Sequence, residues 1–175
     1  VFQGVVQDGR AAFSAQEARG LVIFNSPQQG NCASCHSSTP PAGQTRALFT
    51  NFGYFALGVP RNHSTATADP AFFDMGLCGP KRTDLSSRTD LCGQFKVPTL
   101  RNVALTYPYF HDGEAATLSE AVDVMGRLQL GRKFTADENA KLVAFLVTLT
   151  GDQPKFSLPE LPPSSDITPR PQPFK

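Results

Sequence analysis

The chain has 175 residues, with 16 Lys and Arg against 15 Asp and Glu. That length suffices for one domain with a real core, and the near-balance of charge argues against nucleic acid or an anionic membrane as partner. No apolar run approaches the ~18–20 residues of a membrane-spanning helix. Tryptophan is absent and phenylalanine abundant, so an apolar pocket can be walled by rings that need no polar partner. The first residue is Val1 rather than Met, as in a chain from which a signal peptide or a whole preceding domain has been removed.

Three helix starts share one signature, a hydroxyl N-cap with Glu three residues on. Ser14 and Glu17 open the first, which runs to about Asn25 with Ala18, Leu21, Val22 and either Phe24 or Ala15 facing inward. From Ser37 to Gly113 no helical period lasts, and Phe49 to Leu57 reads as irregular or short extended structure. So long a loop-rich stretch needs an organiser, such as a large buried cofactor helped by a disulfide. Thr117 and Glu120 open the second helix, with Leu118, Ala121, Val122 and Met125 on one face. Thr135 and Glu138 open the third, striped by Leu142, Phe145, Leu146 and Leu149, with Gly151 as its C-cap. From Pro154 onward the prolines forbid helix and favour an extended tail. We find no internal repeat.

Chemistry concentrates in Cys32-Ala33-Ser34-Cys35-His36, the spacing of covalent haem c attachment. Two thiols with two residues between them add to the two vinyl groups of a porphyrin, and a helical turn then brings the next imidazole under the iron. A redox dithiol or half of a zinc site are the rival readings. Cys78 and Cys92 are too far apart to complete a zinc ribbon, and no βαβ pattern surrounds the motif. Haem c attachment and disulfides share oxidising compartments, so Cys78 and Cys92 are expected to pair rather than remain buried thiols. The bridge would close a loop of about 15 residues, worth about 3 kcal/mol in the chain-entropy model.

The second axial ligand is open at this point. A thioether raises the haem potential relative to a second imidazole. Met125 on an apolar helix face is the first candidate, and filling core space is its plain alternative. Met75 lies in a loop near Cys78, and His63 sits in a polar stretch that reads as exposed.

The run Phe95-Lys96-Val97-Pro98-Thr99-Leu100-Arg101-Asn102-Val103-Ala104-Leu105-Thr106-Tyr107-Pro108-Tyr109-Phe110-His111-Asp112-Gly113 resembles the signature of bacterial dihaem cytochrome c peroxidases. So do Met125-Gly126-Arg127-Leu128-Gln129-Leu130-Gly131, the helix from Glu138 to Thr150, and the proline-rich end. The resemblance covers nearly the whole chain, but only the second, electron-accepting haem domain of that family. It implies His36 and Met125 as axial ligands. It also implies a calcium ion between two haem domains, taking the backbone carbonyls of Thr106 and Pro108 from this side. His111 close by either sits at the interdomain face or is a solvated loop histidine. The segment from Leu77 to Cys92 looks more like a wider branch of the family whose members are not all peroxidases.

In the family, peroxide reduction belongs to the other haem, with its open iron position and catalytic glutamate. One attachment motif and two strong axial ligands therefore imply a chain that passes electrons and is not catalytic alone. Two readings follow. The chain is the electron-transfer part of a peroxidase-like enzyme, partnered by a second haem domain and fed by a small redox protein. Alternatively it is a free-standing monohaem cytochrome c, or the cytochrome subunit of a larger oxidoreductase. The tail favours the first, since a long proline-rich extension needs a surface to lie on. Either way the location is periplasmic or otherwise exported. The expected fold is all-α, a cytochrome c-type domain over 1–153 with long haem-covering loops, little or no sheet, and an extended tail over 154–175.

Overall fold

The structure, a computed structural model, describes residues 13–63, 69, 71–79, 82–157 and 164–168. Among the described residues there are three α-helices, α1 (Ala15–Asn25), α2 (Leu118–Leu130) and α3 (Ala136–Val147). One small antiparallel ribbon joins β1 (Tyr54–Phe55) to β2 (Phe95–Lys96), in the register Tyr54 with Lys96 and Phe55 with Phe95. All three capping boxes form. Ser14 Oγ accepts from the Glu17 amide at 3.3 Å, and Thr117 and Thr135 accept from Glu120 and Glu138 at 3.2 Å each. Each Glu carboxylate in turn accepts from the cap's own amide, so two amides that lack helical partners are satisfied at each start.

α1 packs mainly on α3, and the contact turns on Gly20. A Cβ there would collide with the Lys141 carbonyl and stand 2.8 Å from the Phe145 Cβ. This close approach sets the rotation of α1. Gly20, Ile23 and Phe24 are buried, Leu21 is half-buried, and Ala15, Ala18 and Val22 face solvent. The inward face expected from the apolar residues alone was therefore offset, because a glycine carries no hydropathy signal yet marks the nearest point of contact. The α3 stripe is as expected, with Leu142, Phe145, Leu146 and Leu149 all buried. α3 stops at Val147 with Thr148 as its cap, followed by tighter turns through Thr150. Gly151 is not the cap. Its amide instead donates to Asn102 Oδ1 at 2.9 Å. The left-handed glycine cap belongs to α2, at Gly131 with φ 62°.

Phe24, Phe49 and Phe145 form the centre of the core, with ring centroids 5.2–6.1 Å apart. Around them the loops are tied by side chains. Thr50 Oγ1 donates to the Val97 carbonyl (2.7 Å), Thr99 Oγ1 to that of Leu48 (2.6 Å) and Arg101 Nε to that of Ala47 (2.9 Å). These bonds lash 47–50 to 97–101 and bury Phe49 in what read as an irregular segment.

Cys78 and Cys92 are bonded, with S–S 1.99 Å. Their loop does contain a repeat that the sequence reading missed, Arg-Thr-Asp-Leu at 82–85 and again at 88–91. Each copy folds as one 3-10 turn whose Arg forks onto its own Asp, Arg82 on Asp84 and Arg88 on Asp90. At four residues the unit is too short to show as a periodic pattern. Of the proline-rich tail, 154–157 and 164–168 are exposed and without helix or strand; the rest of that expectation lies outside the described residues.

Candidate haem site

The attachment motif follows α1 directly. The Gly30 amide donates back to the Ile23 carbonyl at 3.0 Å, and a Cβ at Gly30 would lie 2.5 Å from that oxygen. Asn31 takes the left-handed conformation (φ 46°) and turns the chain into the 3-10 turn Cys32–Ser34. The His36 amide then donates to the Cys32 carbonyl at 2.9 Å, completing a helical turn. The coil that the spacing required is present.

Cys32, Cys35 and His36 line one cavity of about 430 Å³ together with Met125 from α2. Its walls are largely apolar, and Phe24, Phe55, Phe95, Phe110 and Phe134 are among them. His36 is 9% exposed. Its Nδ1 lies 3.0 Å from the Phe49 carbonyl, so that nitrogen carries the proton and Nε2 keeps its lone pair for a metal. Burial holds the His36 imidazole below its ordinary range, against the opposing pull of the Phe49 and Pro98 backbone. A neutral imidazole is what a metal requires. Burial also pushes the Cys32 thiol up to about 12, against a weaker backbone hydrogen bond. A Cys32 thiol so placed would be a poor nucleophile at neutral pH. Among the described residues there is no group of three or more His, Cys, Asp or Glu that could hold a metal ion. Two thiols, an imidazole with Nε2 available and a thioether around an apolar cavity fit a covalently held haem.

Other expected residues fall as follows. Met125 is half-buried on the cavity wall. Gly126 beside it is buried under Phe134, where a Cβ would meet the ring at 2.8 Å. Met75 is 38% exposed and does not line the cavity, and His63 is exposed. Thr106 and Pro108 stand on the cavity rim and are exposed. His111 sits in a turn and is exposed. It lines the cavity and stacks on Phe95 with centroids 3.7 Å apart. The sequence carries no mark of the Phe49 carbonyl as the partner of His36. A backbone acceptor has no side-chain signature, so no pattern could have marked it.

Helices, attachment turn and apolar cavity together define a haem-based redox domain, and the chain belongs to the cytochrome c peroxidase family. It is 42% identical over 174 residues to the cytochrome c551 peroxidase of Nitrosomonas europaea, covering 99% of this chain and 46% of that protein. To the cytochrome c551 peroxidase of Pseudomonas aeruginosa it is 34% identical over 160 residues, covering 91% and 41%. The crystal structure of the dihaem peroxidase BthA from Burkholderia thailandensis matches with a TM-score of 0.70 and 33% identity, over 85% of this chain and 45% of that one. The chain thus spans less than half the length of these relatives. No family model matches it.

Proposed function

We propose that this chain is the electron-accepting haem domain of a dihaem cytochrome c peroxidase-like oxidoreductase, with one six-coordinate haem c. Residues 1–153 form the domain and 154–175 its extended tail. The group, when bound, supplies a one-electron Fe(III)/Fe(II) couple. Cys32 and Cys35 would hold it covalently, and His36 Nε2 and the Met125 thioether would ligate its iron. The Phe49 carbonyl orients His36 and strengthens it as a donor. The Met125 thioether favours the ferrous state. With His36 and Met125 both engaged, no position would be left for peroxide, and the domain alone would pass electrons. Reduction of H2O2 then requires a second haem domain, and a small redox protein supplies the electrons. The carbonyls of Thr106 and Pro108 form this domain's half of an interdomain calcium site. The disulfide and the attachment chemistry both suit the periplasm or another exported location.

One observation carries the proposal: Cys32, Cys35, His36 and Met125 line the same apolar cavity. The test is production of the chain with a c-type haem attachment system, and the pyridine haemochrome spectrum of the denatured product. One covalent haem per chain is expected, and none when Cys32 and Cys35 are both replaced by Ser. A wild-type chain carrying no covalent haem refutes the reading.

A further inference from the structure

The ring of His111 forms part of the wall of the same cavity. One face lies on Phe95, with an interplanar angle of 15°. Its Nε2 is 3.8 Å from Asp74 Oδ2, and the two side chains are 23% and 40% exposed. Asp74 is held in place, because its Oδ1 accepts from the Gly76 amide at 2.9 Å. Gly76 bridges to Cys92 and Gln94, and the Cys78–Cys92 bond closes the same loop. A carboxylate thus stands on one side of the ring and an aromatic face on another. Among the described residues, Lys96 and Asp112 of the neighbouring segments have contacts of their own. Lys96 stands over the Phe52 ring at 5.0 Å. Asp112 accepts from the amides of Asn62 (3.0 Å) and Glu114 (3.2 Å). Tyr109, which also lines the cavity, is raised by burial and so titrates far above neutrality. Histidine is the side-chain type that ordinarily changes charge between pH 5 and 8.

We propose that His111 is a proton-accepting residue coupled to the redox site, taking up a proton when the domain is reduced. The inference rests on the haem reading above. One electron entering the cavity lowers its net charge by one. A proton from solvent then adds to the His111 imidazole, so charge is restored, and reoxidation returns both electron and proton. Asp74 is the positioning residue for the imidazolium. No bond to the iron changes.

The test is the reduction potential of the haem-loaded chain, measured spectroelectrochemically from pH 5 to 9. A tenfold change in proton concentration corresponds to at most about 59 mV for a one-electron couple. Wild type should show a falling potential with rising pH over part of the neutral range. His111→Gln should flatten it, and Asp74→Asn should move the sloping interval to lower pH. The same slope in His111→Gln as in wild type would assign the proton to another group, such as a propionate, and overturn the proposal. A second readout needs no substitution. The NMR titration midpoint of His111 should lie higher in the reduced than in the oxidised protein, and equal midpoints would likewise overturn it. Failure of the chain to attach haem would instead strike at the function proposed above, which the haemochrome assay detects separately.

Discussion

His36 donates through Nδ1 to the carbonyl of Phe49, 3.0 Å away, while the Phe49 ring is wholly buried between Phe24 and Phe145. One residue thus supplies both the central ring of the core and the acceptor that orients the axial imidazole. Its backbone sits at φ 53°, a conformation that non-glycine residues seldom adopt. Phe49→Ala should cost about 3–5 kcal/mol, as for other buried Phe truncations. Guanidinium denaturation of the haem-loaded chain measures this, and a loss below about 1 kcal/mol would contradict the central placement of the ring.

Replacing Met125 tests the second axial position. Met125→His and Met125→Ala should retain covalent haem but lower the reduction potential, since imidazole or water favours Fe(II) less than a thioether does. Met75→Ala, off the cavity, should leave the potential unchanged. Peroxide turnover with a reduced donor should be slow in wild type and rise in Met125→Ala, which opens a coordination position without adding an acid–base residue. An unaltered potential and ferric spectrum in Met125→His would remove the assignment.

The disulfide can be read chemically. Unfolded but unreduced protein should show no alkylation at Cys78 or Cys92. After reduction both should label, and the folded state should lose about 3 kcal/mol, the chain-entropy value for a loop of this length. Labelling of either residue before reduction would remove the bridge from the account.

Glu138 gives a pH dependence of known sign. The Arg132 guanidinium, 2.6 Å away, holds its carboxyl below the ordinary carboxylate range, with the Thr135 amide adding to the effect. The folded state therefore binds the proton less readily than the unfolded chain. The resulting stability is present above the unfolded value, near 4.5, and is lost as pH falls through the lower folded value. Urea denaturation should show this acid-side loss in wild type and a flatter profile in Glu138→Gln. Thr135→Ala, which removes the other half of the same capping box, should cost about 1 kcal/mol at neutral pH.

The local features were legible along the chain, because each is specified by residues a few positions apart. The capping boxes at Ser14, Thr117 and Thr135 are of this kind, as are the Leu142, Phe145, Leu146 and Leu149 stripe and the Cys32, Cys35, His36 motif with its helical turn. Tertiary structure decided what depends on contacts between distant segments. The rotation of α1 follows from backbone contact at Gly20, where the informative feature is a missing side chain. The partner of His36 is a main-chain oxygen 13 residues away. The pairing of His111 with Phe95 and Asp74 joins three segments that are far apart in the chain. Side-chain patterns encode which face of a segment is apolar. Main-chain acceptors, glycine contacts and loop-to-loop stacking leave no such periodic trace, and only packing brings them together.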